Sequence, residues 1–317
     1  MAGEGEKRKS EGKKRIGVRN LVCGGVAGAI SRTLVSPLER LKILHQVQYL
    51  SSKGSAEKYG SVVSSLRTIV KEEGWRGFYK GNGINCVRVF PYVGIQFFCF
   101  EQIGGVVSGG KKGRDNRPLL TPLEKLGVGA SAGICSVIAT YPLDTVRGRL
   151  TAQGGTMEVL YDGMFDAMRK IAKAEGISAF YKGVRPTLVG IGPYVGINFL
   201  VYETLKEHAP VEEGARGPSA IWLAACGGVA GVSGQTASYP ADLLRRRFQL
   251  QEMQGSKVAY DGVLNAVRTI IAEEGVRGLY KGFAANFIKV TPTIASMFFV
   301  NDLLRRSPAV NAIFGTA

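Results

Sequence analysis

Only two histidines and five cysteines occur in 317 residues, and neither type is grouped. His45 and His208 have no Cys or carboxylate constellation around them. Cys23, Cys86, Cys99, Cys135 and Cys226 lie in apolar stretches without metal or disulfide spacing, so all five read as small buried hydrophobes. A Walker loop, a catalytic triad and a zinc motif are missing too, which leaves enzyme chemistry, a catalytic residue and a bound metal unsupported. Acids are scarce: 25 against 41 bases, for a net charge of +16. Such a surplus fits nucleic acid, an anionic membrane surface or an anionic substrate. No nucleic-acid fold signature accompanies it, and the bases gather in loops and at helix ends. The first residues (Lys7, Arg8, Lys9, Lys13, Lys14, Arg15, Arg19) lack an apolar core, which argues against a secretory signal. Glu4, Glu6 and Glu11 suit a transit peptide poorly, so 1–17 is expected to be a disordered basic tail.

Charge is also lacking over long internal stretches. The mean hydropathy of +0.05 hides segments 126–143, 186–202 and 219–241, which carry none. Segments 20–38, 82–100 and 283–301 carry one base each: Arg32, Arg88 and Lys289. These lengths bracket the roughly 20 residues that cross a bilayer core. A soluble protein with six buried helices is the alternative. Gly and Pro inside so many apolar segments argue against it, because membrane helices tolerate them better.

What is present in abundance is repetition. Pro37-Leu38-Glu39-Arg40-Leu41-Lys42, Pro142-Leu143-Asp144-Thr145-Val146-Arg147 and Pro240-Ala241-Asp242-Leu243-Leu244-Arg245 share a proline, an acid two residues on and a base three further. Nine residues before each proline lies the second glycine of Gly24/Gly28, Gly129/Gly133 or Gly227/Gly231. Downstream come Glu73-Gly74, Glu175-Gly176 and Glu274-Gly275, each followed by Tyr-Lys-Gly: Tyr79-Lys80-Gly81, Tyr181-Lys182-Gly183 and Tyr280-Lys281-Gly282. Tyr59-Gly60, Tyr161-Asp162-Gly163 and Tyr260-Asp261-Gly262 lie between. Four landmarks kept in register three times make the chain a tandem triplicate, about 18–115, 120–210 and 218–310. Each repeat reads as a Gly-rich apolar helix, a short amphipathic helix such as 61–73, and a second apolar helix.

The repeated charges sit at the ends of spans, where they are costly unless paired. Each acid and base could form a local helix pair. Around a pseudo-threefold axis, Glu39, Asp144 and Asp242 can instead meet Lys42, Arg147 and Arg245 of neighbouring repeats. Three motifs in register favour this ring, which would act as a gate. Gln46 and Gln249, nine residues after their prolines, are placed to brace it; Thr151 takes that place in repeat two.

These motifs, the Glu-Gly and Tyr-Lys-Gly stretches and the paired glycines resemble the mitochondrial carrier family over nearly the whole chain. The resemblance implies an all-α membrane protein. Its six transmembrane helices would form three tandem pseudo-repeats around a central cavity, with short amphipathic helices on the matrix side. It implies a multi-pass protein of the mitochondrial inner membrane, functional as a monomer. Alternating access would run between two salt-bridge gates, the matrix one being the ring above. The other gate would use Glu203 with Lys206 after Tyr202, Asp302 with Arg305, and Glu101 without a base, since Gly104 stands where one belongs. The Tyr-Lys-Gly residues listed above, with the Tyr-x-Gly turns, correspond to family positions that hold cardiolipin at helix N-termini. No other cofactor is implied.

Substrate contacts should break the symmetry. Eight residues past each Tyr-Lys-Gly lysine stand Arg88, Gly190 and Lys289. Arg32 is matched by Val137 and Gln235. A cation within a span costs about 2.5–3.5 kcal/mol and so needs an anion or a watery cavity to face. Arg88 and Lys289 suit phosphate oxygens. Gly190-Ile191 with Tyr194 suits a flat ring, and Tyr92 lies one turn beyond Arg88. In the family such a set is similar to carriers of adenine-containing nucleotides. Arg245-Arg246-Arg247-Phe248-Gln249-Leu250 departs from the three arginines and three methionines of strict ADP/ATP exchangers. Adenine nucleotides are the expected substrate. Coenzyme A, adenosine phosphosulfates and a non-transporting or uncoupling-type member of the same fold stand as alternatives.

Overall fold

A computed structural model describes residues 2–50, 59–111, 118–155, 157–208, 219–253, 256 and 259–307. Six long helices alternate with three short ones, and no β-strand occurs among the described residues. Repeat one comprises α1 (Ala2–Val47), α2 (Val62–Glu73) and α3 (Asn82–Val107). Repeat two comprises α4 (Pro122–Ala152), α5 (Met164–Ala174) and α6 (Val184–Glu207). Repeat three comprises α7 (Ala220–Leu250), α8 (Val263–Glu274) and α9 (Phe283–Arg306). By length and composition, Trp75–Val107, Pro122–Ala152 and Ile177–Glu207 suit a membrane crossing.

Residues 2–17 depart from the expected disordered tail, because α1 begins at Ala2. Once a helix is nucleated each further residue adds a hydrogen bond, and no proline precedes Pro37 to stop it.

The repeats close on one another. The second long helix of each repeat packs along the first of the next: α3 on α4, α6 on α7, and α9 back on α1. The short helices cover the end at which α1, α4 and α7 finish, called here the lower end. Each buries one apolar stripe, with Ile69, Ile171 and Ile270 innermost. Each also leaves an apolar residue outward (Val63, Phe165, Leu264). The 3-10 turns that follow expose Trp75 at 74%, Ile177 at 75% and Val276 at 63%. Threefold-repeated exposure of this size on one chain fits a surface bathed in lipid.

Two glycine sets make the joints. Gly81, Gly183 and Gly282 cap α3, α6 and α9 at φ of 79°, 89° and 84°, in the left-handed region that favours glycine. A Cβ there would lie 3.2 Å from the Arg147 carbonyl, 2.8 Å from that of Arg245 or 3.0 Å from that of Lys42. The Tyr-Lys-Gly glycine of one repeat thus rests on the backbone of the next repeat's ring base. In the second set, Gly190 admits Ala241 and Gly234 admits Tyr194 and Asn198, letting α6 and α7 approach closely.

Beneath the ring lies a second layer that sequence reasoning missed. Arg149 Nε donates to the Gln249 carbonyl at 3.0 Å and Arg247 Nε to that of Gln46 at 3.1 Å. Arg40 Nε donates to Thr151 O at 3.2 Å. Their guanidinium ends hold Glu175, Glu274 and Glu73 of the Glu-Gly motifs. Three fully buried arginines therefore staple each repeat to the next. The period puts Leu44 at the position of Arg149 and Arg247, and Arg40 reaches the same place from one turn earlier, which hid the layer.

The cysteines also depart from expectation: Cys23 and Cys226 are buried, Cys86 and Cys99 half-buried, and Cys135 exposed. The long helices turn one face outward, and small apolar residues there need no protein partner.

Candidate functional site

The three prolines lie inside α1, α4 and α7, just above the point where these helices converge, and each motif acid and base leaves toward the axis. The ring is formed between repeats. Arg147 Nη2 lies 2.7 Å from Glu39 Oε2, Arg245 Nη2 2.6 Å from Asp144 Oδ2, and Lys42 Nζ 2.5 Å from Asp242 Oδ2.

Its three acids are unequally held. Asp144 also receives Arg246 Nη1 and Arg88 Nη1, each at 3.2 Å, and Gln249 Nε2 at 2.9 Å. Glu39 also faces Lys289 Nζ at 3.5 Å and accepts from Asn85 Nδ2 at 3.2 Å, while Asn85 Oδ1 takes Arg32 Nη1 at 3.2 Å. Among the described residues Asp242 makes one ion pair, with Lys42, which lies 5.3 Å from the Tyr239 ring centre. The cause is the broken symmetry: Arg88 and Lys289 reach the acid of the following helix, and at Gly190 there is no side chain to do so.

Above the ring opens a cavity of about 350 Å³. Arg32, Arg88, Gly190, Ile191, Tyr194 and Lys289 all line it, so the structure brings together six of the seven expected substrate residues. The seventh, Tyr92, is not in the lining; its ring centre lies 5.9 Å from the Arg88 guanidinium. Val137 and Gln235, the uncharged counterparts of Arg32, are on the wall. Arg246 is a further cation that sequence reasoning passed over. Its counterparts Ile43 and Gly148 carry no charge, and Gly148 leaves the room that Arg246 and Gln249 fill. In all, seven bases and three acids line the cavity. The excess positive charge makes the floor electrostatically attractive to anions.

Several expectations need correction. Gln46 does not brace the ring pair; the Tyr239 hydroxyl lies within its reach, and its Nε2 donates there at 3.2 Å. Arg88 and Lys289 do not stand free but hold ring acids. Gly190 leaves no open slot, since a Cβ there would meet Ala241 Cβ at 2.7 Å.

At the upper end no ring forms among the described residues. Glu203 and Lys206 pair within α6 at 3.6 Å, and Asp302 pairs with Arg306 at 2.9 Å, one turn along α9. The Arg305 side chain lies outside the described residues. Glu101 stands in the outer part of α3. The lower ring is therefore closed, while the ion pairs described at the upper end lie within single helices.

The Tyr-Lys-Gly stretches lie below the ring. Lys80 and Lys281 bind Glu73 and Glu274 at 2.5 and 3.0 Å, and Lys182 binds Glu252. Tyr79, Tyr181 and Tyr280 are partly exposed. Outside the spans, donation to Glu273 at 2.5 Å pushes the Tyr49 phenol up to about 12. This bond ties repeat one to α8.

Comparison with known proteins agrees with this geometry. The family model described as mitochondrial carrier protein matches residues 15–111, 119–212 and 218–308. The mitochondrial adenine nucleotide transporter ADNT1 of Arabidopsis thaliana is 39% identical over 96% of this chain and 90% of its own length. The mitochondrial coenzyme A transporter SLC25A42 of Danio rerio is 39% identical over 93% and 89%. The mitochondrial adenyl nucleotide antiporter SLC25A24 of Homo sapiens is 36% identical over 95% of this chain but 61% of its own. Triplicated motifs, a closed three-repeat ring and these matches make the chain a member of the mitochondrial carrier family.

Proposed function

We propose that this protein exchanges adenine nucleotides across the mitochondrial inner membrane, without enzymatic chemistry. The observation that carries the reading is the cationic floor beneath an open cavity, seven bases against three acids, on a chain whose relatives are named for adenine nucleotides. Phosphate oxygens would take Arg88, Lys289, Arg32 and Arg246 in forked and point contacts. Ile191 and Tyr194 would meet the nucleoside end.

The ring is the closed matrix gate in this reading, and Glu101, Glu203, Lys206, Asp302 and Arg305 belong to the cytoplasmic one. Such pairs lose part of their desolvation cost when water enters, so a ring can part and reform. One chain holds the whole cavity, which supports a functional monomer. A groove of about 400 Å³ between repeats, lined by Lys80, Gly81, Leu150, Gly163 and Met164, supports cardiolipin at the N-termini of α3 and α5. The other Tyr-Lys-Gly turns are assigned by symmetry.

Coenzyme A is the second reading, favoured by the Danio rerio relative. Proteoliposomes loaded and challenged with labelled ATP, ADP, AMP, coenzyme A and adenosine phosphosulfates separate the two. Saturable ADP or ATP exchange is expected. Exchange of coenzyme A with none of the nucleotides selects the alternative, and no exchange of any defeats both.

A further inference from the structure

A second recess lies above the ionic floor, between α4 and α6. It measures about 280 Å³ and is lined by Leu126, Tyr194, Val195, Asn198, Phe199 and Tyr202. Tyr194 is shared with the cavity below, so the two adjoin. Helix periodicity supports this. Leu126 and Val137 are eleven residues apart, as are Thr187 and Asn198, which is three turns on one face.

We infer that the purine ring of the nucleotide seats in this recess, held by the Asn198 amide and the surrounding aromatic rings, while its phosphates occupy the floor. This rests on the nucleotide assignment. Three observations select the recess over the floor at Gly190. First, Ala241 already fills the volume that the missing Gly190 side chain would leave for a ring. Second, Asn198 stands about 12 Å along the helix from Gly190, an interval that an extended nucleoside polyphosphate bridges. Third, the chemistry fits a base rather than a phosphate. Aromatic faces stack on any purine, and a carboxamide offers one donor and one acceptor to a base edge that has the same pair. Gly234 of α7 fixes the register of Asn198, since a Cβ there would meet Asn198 Cβ at 3.1 Å.

The test is uptake of labelled ADP into proteoliposomes, with GDP and inorganic tripolyphosphate as competitors. Asn198→Ala should raise the KM for ADP about fivefold and narrow the preference for ADP over GDP. Leu126→Trp, which fills the recess, should raise that KM at least as much. Inhibition by tripolyphosphate, which needs only the floor, should be unchanged in both. Protection against heat by tripolyphosphate shows that each variant is folded. Unchanged KM and base preference in the folded variants would overturn the recess while leaving nucleotide exchange intact. So would a larger effect from Ile191→Ala than from Asn198→Ala. Failure of the unaltered protein to carry any adenosine phosphate would remove the nucleotide assignment itself.

Discussion

Arg88 and Lys289 each hold a ring acid and face the cavity, so on the proposed function a phosphate would compete with Asp144 and Glu39 for them. Their removal would then take away charge-assisted contacts to substrate. Arg88→Ala or Lys289→Ala should lower uptake kcat/KM about a hundredfold with the protein still folded, read by transport and thermal unfolding side by side. Normal uptake in either would refute the cavity assignment. Arg40 is different in kind, because it is buried and does not line the cavity above the ring. Arg40→Ala leaves Glu73 with Lys80 alone and should cost about 3–5 kcal/mol, measured as a lowered unfolding midpoint with tripolyphosphate inhibition retained in what remains folded. The cavity cations were legible in the sequence as breaks in a repeat. The buried arginines were not: the carbonyls that tie them to the next repeat are 100 residues away or more, and a carbonyl has no sequence signature.

At the scale of the element, the second long helix of each repeat begins where its Tyr-Lys-Gly motif says. Tyr-Lys-Gly supplies the left-handed residue that starts α6, with a backbone carbonyl pressed against it. Gly183→Ala combines positive φ with a contact that neither chain segment can relieve, since the obstacle is the Arg245 carbonyl. A loss of about 1–3 kcal/mol is expected, seen as a lower unfolding midpoint than for Gly163→Ala, whose site has open space and extended φ. Equal midpoints would show the joint to be slack. Helix existence was readable from apolar length and glycine spacing. Continuation of α1 through residues 2–17 was not, because its composition there matches an unstructured tail.

For the whole molecule, the decisive fact is that acids and bases pair between repeats. Glu39→Arg should impair exchange, and adding Arg147→Glu should restore a large part of it, because the pair is remade with its sense reversed. Swapping Glu39 with Lys42 inside one helix should not. Rescue by the second swap and not the first would return the charges to local helix pairs. The ring is also asymmetric: among the described residues Asp242 makes one ion pair, whereas Glu39 makes two and Asp144 three.

The sequence by itself determined the triplication, the helices, the positions of the ring charges and the four places where symmetry fails in the cavity. Those follow from local chemistry, repeated or broken at a countable spacing. Only the tertiary structure decided which acid meets which base, that Arg88 and Lys289 hold ring acids, and that Ala241 occupies the space beside Gly190. Each of these is a contact between helices of different repeats. Its partner is chosen by closure of the three repeats upon one another, which no single segment encodes.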